Sequence, residues 1–129
     1  MQIIEQDNYT IINDTYNANK EAMMSAFDTV NTFESRKVAI LGDMLELGEF
    51  EEDIHREVGK YANGKIDVLI TIGNLSKFIN DEFNGTKYHF DNKQDAMNDL
   101  KDIIKDGDVI LVKASQGMKL LEIVEFLRK

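Results

Sequence analysis

Apolar residues along this chain follow two alternating patterns, one typical of amphipathic helices and one typical of buried strands. The first helix is predicted from the i, i+3, i+4, i+7 spacing of Met23, Ala26, Phe27 and Val30. Between such helices lie short runs of consecutive apolar residues, as expected of parallel strands that are covered on both faces. We predict these buried strands at residues 37–41, 66–72 and 109–112. Strands that alternate with helices predict a Rossmann-like, three-layer α/β sandwich with a mostly parallel sheet and helices on both faces.

The remaining elements are shorter or less strongly patterned. We predict a short first strand at residues 3–4, a strand at 9–12 and a weak strand at 87–90. Four further helices are predicted from apolar positions on one face of each, at Ile54, Val58 and Tyr61; at Leu75, Phe78 and Ile79; at Met97, Leu100 and Ile104; and at Met118, Leu121, Val124 and Leu127. Asn19 is the expected N-cap of the first helix, and Asn63-Gly64 is expected to end the second in a left-handed conformation. Asp91 and Gln94 predict a capping box at the start of the fourth helix.

Composition narrows the class of protein. A chain of 129 residues with 43% hydrophobic content is expected to form a single domain, spanning residues 1–129, around one core. The net charge of −9, from 15 basic and 24 acidic side chains, argues against nucleic acid and against an anionic membrane as partners. We find neither an apolar run of membrane-spanning length nor the pattern of a secretion signal. The absence of Cys excludes a disulfide scaffold and a Cys nucleophile, and it favours a reducing, cytoplasmic location.

The turn that follows the strand at 9–12 carries the densest set of candidate ligand-binding side chains. It holds Asp14, Tyr16, Asn17 and Asn19 at the carboxyl end of a strand, where open α/β sheets bind their ligands. Asn and Asp are also the commonest turn formers and helix caps, so we expect one of the two amides to act only as a cap. Because Asp14 is predicted to lie in an open turn, we expect its truncation to affect ligand binding far more than stability.

Further candidates fall at the ends of the other predicted parallel strands. Asp43, Gly73 and Lys113 follow such strands and are expected to lie, with Asp14, along one edge of the sheet, where they would line a single cleft. Lys113 precedes Ser115 and a predicted helix, so its charge and the nearby backbone N–H donors are suited to hold an anion. Alternatively, this lysine merely reaches solvent from the end of its strand.

Three other features carry weak or negative signals. Residues 59–65 have the glycine and lysine spacing of a phosphate-binding P-loop, but Ile66 replaces the required hydroxyl and the run lies in a helical pattern. His55 is expected to be a partly buried packing residue with one paired ring nitrogen, and His89 carries no signal of its own. No cluster of His, Asp and Glu has metal-ligand spacing, so we predict no metal site in this chain.

Three motifs occur in an order that resembles the C-terminal domain of the Mur ligase family. They are Asp-Thr-Tyr-Asn-Ala-Asn at residues 14–19, Ile-Leu-Gly-Asp-Met-Leu-Glu-Leu-Gly-Glu at 40–49 and Leu-Val-Lys-Ala-Ser at 111–115, and the resemblance covers essentially the whole chain. It implies an ATP-dependent ligase that forms an acyl phosphate on a UDP-linked precursor and then an amide bond. Within the family, the resemblance is strongest to the branch that joins D-Ala-D-Ala to UDP-MurNAc-tripeptide for bacterial peptidoglycan, and hence for cell-wall formation, cell shape and division.

The resemblance also implies roles for individual residues. The implied nucleotide-binding residues are Asp14, Asn17 and Asn19, with Asp14 at the ATP ribose. The implied dipeptide-binding residues are Asp43, Lys113 and Ser115. No catalytic residue is implied in this fragment, because ATP and Mg²⁺ would be bound mainly by the family's N-terminal and central domains. We expect the chain to lack those domains and to be inactive alone, since Met1 falls at the family's domain boundary and suggests an excised domain.

The chain departs from the family pattern at three positions, and two alternative functions remain. Lys20 replaces a proline, while Ala114 and Gln116 replace a glycine and an arginine, which puts the arginine's anion contact in question.

One alternative is a non-catalytic flavodoxin-like interaction or signalling module, such as a phospho-receiver, although its phosphorylated Asp would stand where Gly73-Asn74 lie. The other is a Mur-type ligase that uses a different amine. The exact amine and the oligomeric state are left open by the sequence.

Overall fold

The computed structural model describes residues 1–128, which form a three-layer α/β sandwich around one six-stranded sheet. The strands are β1 (Gln2–Glu5), β2 (Thr10–Asp14), β3 (Lys37–Gly42), β4 (Val68–Ile72), β5 (Thr86–Phe90) and β6 (Val109–Lys113). Their order across the sheet is β1-β2-β6-β3-β4-β5. Only the edge strand β1 runs antiparallel to its neighbour; the other four pairs are parallel. The predicted fold, a mostly parallel Rossmann-like sandwich, is confirmed.

Five helices cover the two faces of the sheet. They are α1 (Lys20–Val30), α2 (Glu51–Ala62), α3 (Ser76–Glu82), α4 (Lys93–Ile103) and α5 (Leu121–Leu127), with short 3₁₀ turns at Gly48–Phe50 and Gln116–Met118. Helices α1, α2 and α3 bury apolar side chains on one face, whereas α4 and α5 do so on the other. None of the helices in residues 1–128 has the length and apolarity that crossing a membrane requires.

The central strands are apolar on both sides because each side packs under a layer of helices. Every residue of β4 and β6 is buried, and along β3 only Lys37 is not. Successive residues of β3 alternate between the two layers: Ala39 and Leu41 contact the cluster under α1 and α2, whereas Val38 and Ile40 contact the cluster under α4 and α5. Full burial of one such side chain contributes about 1.5–3 kcal/mol, so these strands supply much of the driving force for folding.

Most predicted helix boundaries are confirmed, but the start of α4 is one residue later than predicted. Asn19 caps α1 by accepting the N–H of Ala22 at 2.8 Å. The predicted capping box at Asp91 is wrong, because Asn92 caps α4 and its Oδ1 accepts the N–H of Asp95 at 2.9 Å. The buried residues of α4 are Ala96, Leu100 and Ile103, and the predicted inward residues Met97 and Ile104 are partly buried and pack against the same cluster.

The last helix also differs from the prediction at its start. Leu121 is 45% exposed, and the neighbouring Leu120 and Ile123 occupy the buried positions. Lys119 has a left-handed backbone (φ 56°) and breaks the helical path just before α5, whereas Val124, further along the helix, is buried as predicted. Leu127 is buried as predicted, and Lys129 lies outside the described residues.

The P-loop-like spacing at residues 59–65 has a packing explanation. Gly59 lies inside α2, where a Cβ atom would stand 2.2 Å from the backbone oxygen of Ile79 in α3. A glycine is required here because the two helices approach each other closely. Gly64 ends the run with φ +81°, the left-handed conformation predicted for the end of this helix.

Candidate functional site

The loops at the carboxyl ends of four parallel strands meet at one edge of the sheet, as predicted. Strand β2 ends at Asp14 and pairs with β6 so that Asp14 lies opposite Lys113. On the other side of β6, Leu41 of β3 lies opposite the same lysine, and β3 pairs in turn with β4. The side chains that follow these strands are thereby brought together from sequence positions far apart.

Lys113 and Asp14 form an ion pair beneath this edge. The Nζ of Lys113 lies 2.7 Å from Oδ2 of Asp14 and donates a second hydrogen bond, of 2.8 Å, to the backbone oxygen of Asn17. Only 2% of the lysine side chain is exposed, compared with 18% for the aspartate. The interpretation of Lys113 as a residue that merely reaches solvent is therefore wrong: its charge ties the turn after β2 to the end of β6.

Asp43 serves as a side-chain cap for the start of α3. Its Oδ1 accepts the backbone N–H of Leu75 at 3.0 Å and that of Ser76 at 2.7 Å, and the residue is 7% exposed. Gly73 makes room for this carboxylate, because a Cβ at Gly73, which has φ +117°, would lie 2.6 Å from Oδ1 of Asp43. The carboxylate thus joins the loop after β3 to the loop after β4.

Ser115 joins the loop after β6 to the same loop after β3. Its Oγ accepts the N–H of Leu45 at 2.8 Å, and its own N–H donates to the backbone oxygen of Asp43 at 3.2 Å. Ala114, which replaces the family's glycine, is buried against Gly42; a Cβ on Gly42 would come within 2.8 Å of the Ala114 Cβ. The methyl group that Ala114 adds relative to the family's glycine therefore fits because Gly42, on the neighbouring strand, has no side chain.

His55 belongs to this edge as well, although the sequence analysis did not predict it as a site residue. It is completely buried on α2; its Nε2 accepts the N–H of Met44 at 3.0 Å, and its Nδ1 lies 2.6 Å from the backbone oxygen of Glu51. These partners place the proton on Nδ1 and leave the ring neutral. The prediction of partial burial with one paired nitrogen is wrong, because the loop carrying Met44 folds over the helix, which local spacing does not reveal.

Burial lowers the pKa of His55 below its usual value of 6.5. The backbone hydrogen bond to Glu51 and the negative charges of Asp43 and Glu51 act in the opposite direction, but burial dominates. The neutral ring is therefore the stable form at neutral pH.

A cleft of about 840 Å³ opens beside the ends of β2 and β6. It is lined by Met1, Gln2, Asn13, Asp14, Thr15, Tyr16, Gln116, Gly117, Lys119, Leu121, Glu122 and Glu125. Tyr16 presents an aromatic ring that is 76% exposed. Of the four strand-end residues predicted to line a single cleft, the lining includes Asp14 but not Asp43, Gly73 or Lys113, so that prediction is wrong for three of the four. The other predicted site residues, Asn17, Asn19 and Ser115, are not part of the described lining either.

The two amides of the first motif differ in their surroundings. Asn19 is exposed, but its side-chain oxygen is used as the cap of α1. Asn17 is exposed and fixed through its backbone oxygen, which accepts from Lys113. The expectation that one amide of the two acts as a cap is thus confirmed for Asn19.

The sequence analysis missed Lys119, Glu122 and Glu125 as cleft residues, because their position depends on where α5 begins.

A mostly parallel sheet with an open cleft beside the carboxyl ends of two of its strands is typical of an α/β domain of the doubly wound class. A family profile described as "Mur ligase, glutamate ligase domain" matches residues 1–116. The chain therefore belongs to the Mur ligase family, as its three motifs indicated.

Several curated relatives are UDP-N-acetylmuramoyl-tripeptide–D-alanyl-D-alanine ligases. The ligase from Bacillus subtilis is 40% identical over an alignment that covers 97% of this chain and 29% of the relative. The ligase from Haemophilus influenzae is 34% identical, with 94% of this chain and 28% of the relative covered. The chain thus spans less than a third of the length of these relatives.

Solved structures agree with the fold. The MurF ligase from Thermotoga maritima in complex with ADP superposes with a TM-score of 0.84 at 28% identity, covering 96% of this chain and 29% of that one. MurF from Acinetobacter baumannii gives a TM-score of 0.90 at 22% identity, over 99% of this chain and 29% of that one. A domain from a Haemophilus ducreyi protein matches over 92% of both chains with a TM-score of 0.66 at 13% identity. The last two comparisons concern the fold alone.

Proposed function

We propose that this chain is the C-terminal domain of an ATP-dependent ligase that joins D-Ala-D-Ala to UDP-MurNAc-tripeptide through an acyl phosphate, in the cytoplasmic synthesis of peptidoglycan precursors. The observation that supports this most directly is the 40% identity, across 97% of the chain, to the Bacillus subtilis ligase of that name. The cleft at the carboxyl edge of the sheet is where a domain of this class binds ligands.

In this proposal, Asp14 and Asn17 contribute to the pocket for the ATP ribose and base. The ion pair with Lys113 engages Oδ2 of Asp14, a residue that lines the cleft, and the carboxylate has further lone pairs that can accept hydrogen bonds. An oriented carboxylate is a good acceptor for two ribose hydroxyls. Asn17 lies in the same turn and is exposed, although it is not among the described residues that line the cleft, whereas Asn19 acts by starting α1 at the correct residue.

The dipeptide contacts expected of Asp43, Lys113 and Ser115 stay a prediction. Their charged or polar atoms already bond within the domain, to α3, to the turn after β2 and to Leu45. We propose that these residues act chiefly by fixing the loops on which the incoming dipeptide lies. Rigid loops hold the attacking amine at the reacting carbonyl, which lowers the entropic part of the barrier.

Mg²⁺ and the ATP phosphates are assigned to parts of the ligase outside this domain. Within residues 1–128, no group of three or more His, Cys, Asp or Glu side chains is placed to hold a metal ion, so the residues present do not fit a magnesium site. The domain's own contribution is to bind the ribose, orient the dipeptide and exclude the water that would hydrolyse an acyl phosphate.

A domain swap tests this function. This chain would replace the matching segment of the Bacillus subtilis ligase, and formation of the pentapeptide product would be measured with ATP and D-Ala-D-Ala. We expect the chimera to form the pentapeptide product only when ATP and D-Ala-D-Ala are both present. The unmodified parent ligase serves as the control. A folded chimera that uses a different amine and rejects D-Ala-D-Ala would overturn the proposal in favour of another Mur-type ligase.

The isolated chain provides an independent measurement. We expect its amide resonances around Asp14 and Asn17 to shift with millimolar adenosine nucleotide and to show weak binding, because the phosphate contacts lie elsewhere. Binding of ATP at micromolar concentration, about 8 kcal/mol of free energy, would contradict this division of labour. So would ATP hydrolysis by the isolated chain above the background rate.

A further inference from the structure

The buried imidazole of His55 connects two elements that the proposed function leaves separate. Its Nδ1–H donates to the backbone oxygen of Glu51 within α2, and its Nε2 accepts the N–H of Met44 from the loop after β3. Both His55 and Met44 are completely buried. Water is therefore a poor substitute for the hydrogen bond between them.

The loop after β3 is attached at three consecutive residues, each to a different part of the fold. Asp43 accepts from the first amides of α3, Met44 donates to His55 of α2, and Leu45 donates to Ser115 after β6. The attachment through His55 differs from the other two because a ring nitrogen accepts a hydrogen bond only while it carries no proton. One of the three attachments thus depends on the charge state of an imidazole.

Protonation of Nε2 would place an N–H against the N–H of Met44. The amide would lose its acceptor in a buried position, and two donors would face each other, which is unfavourable. Burial also disfavours the charged ring, while the carboxylates of Asp43 and Glu51 favour it. Attachment of the loop and protonation of the ring are therefore mutually exclusive.

We propose that His55 is a positioning residue that holds Met44, in the Asp43–Leu45 loop at the carboxyl edge of the sheet, only while its ring is neutral, so that acid breaks this attachment before the domain unfolds. This goes beyond the proposed function and does not depend on which amine or nucleotide the ligase uses. It concerns a loop whose neighbours, Ser115 and the end of β6, adjoin the cleft.

The test is an NMR titration of the ¹⁵N-labelled chain, following the two imidazole rings and the backbone amides. We expect His55 to titrate below pH 6.5. With the same midpoint, the amide of Met44 is expected to change its chemical shift and lose its protection from solvent exchange. The amide of Val109, which is buried in β6 and donates to the backbone oxygen of Arg36, serves as a reporter of global folding and is expected to stay protected. A Met44 amide that stays protected while His55 titrates would overturn the proposal.

The chain offers a matched control, because its two histidines are His55 and His89. His55→Gln keeps a side-chain oxygen acceptor but cannot titrate, so protection of Met44 should become independent of pH. His55→Leu should abolish that protection at every pH, whereas His89→Gln should leave the wild-type transition unchanged. A transition that disappears in His89→Gln but persists in His55→Gln would refute the assignment. The titration of the unmodified chain decides the matter even if a variant fails to fold, and it needs no ligase activity.

Discussion

The ion pair between Asp14 and Lys113 predicts an asymmetric response to mutation. Lys113 is the more deeply buried partner, with 2% of its side chain exposed against 18% for Asp14. Asp14→Asn leaves a buried ammonium group without a counter-charge, whereas Lys113→Met leaves a carboxylate that still meets solvent. The sequence alone led us to expect that truncation of Asp14 affects stability little, and the buried lysine instead predicts a substantial loss.

The expected magnitudes follow from this geometry. Removal of one partner from a buried ion pair costs about 3–5 kcal/mol, and we expect Asp14→Asn to fall near that range. Lys113→Met should cost less, about 1–3 kcal/mol, because water partly solvates the remaining carboxylate. In the double variant neither charge remains, so its loss of stability should be smaller than the sum of the two single losses by more than about 1 kcal/mol.

Urea unfolding of the isolated chain, followed by circular dichroism, measures these free energies. The pair Lys20–Glu57 provides a control, because its atoms are also 2.8 Å apart but its side chains are 35% and 50% exposed. Lys20→Met should cost less than either single change in the buried pair, because solvent screens an exposed ion pair. Additive losses in the Asp14 and Lys113 cycle, or a larger loss for Lys113→Met than for Asp14→Asn, would refute the reasoning.

Three further predictions concern packing, pH and nucleotide use. Gly42→Ala should destabilise the chain by about 1–3 kcal/mol, because its Cβ would lie 2.8 Å from that of Ala114. Urea unfolding of the double variant with Ala114→Gly should show that most of this stability is recovered. An unchanged loss in the double variant would contradict the contact. His55 should make the free energy of unfolding fall in acid, since its pKa is below 6.5 in the folded chain and the unfolded chain binds the proton first. The loss of unfolding free energy should begin near pH 6.5 as the pH falls and should level off below the pKa of His55 in the folded chain. It should be absent from His55→Gln. If the free energy of unfolding changed with pH equally in the unmodified chain and in His55→Gln, His55 would not be its cause. In the domain-swapped ligase, Asp14→Asn should raise the KM for ATP about tenfold to a hundredfold; an unchanged KM with a lowered melting temperature would limit Asp14 to a structural role.

The sequence by itself determined which segments are helices and strands and how they are layered. A helix that buries one face, or a strand covered on both faces, leaves its pattern within a few neighbouring residues, so local inspection finds it. The strands at 37–41 and 109–112 and the cap at Asn19 were therefore predicted correctly. The alternation of elements then leaves few topologies, and the three motifs identified the family.

Helix ends were less well determined, because adjacent residues often suit the same position. Asp91 and Asn92 are both good N-caps, and packing of Ala96 and Leu100 against the sheet selects the second. In the same way, the left-handed backbone of Lys119 separates the 3₁₀ turn at Gln116–Met118 from α5, and residues on both sides of it line the cleft. A shift of one residue changes which side chains are buried, although the hydrophobic pattern itself barely changes.

Only the tertiary structure decided which polar groups pair with one another at the site. Asp14 and Lys113 are 99 residues apart in sequence, and the partner of Asp43 at Ser76 is 33 residues away. Parallel pairing makes it predictable that strand-end residues share an edge, because the carboxyl ends of such strands point the same way. Whether their charges face a ligand or each other depends on how neighbouring loops fold over them, which is a property of the whole packed domain and not of any one segment.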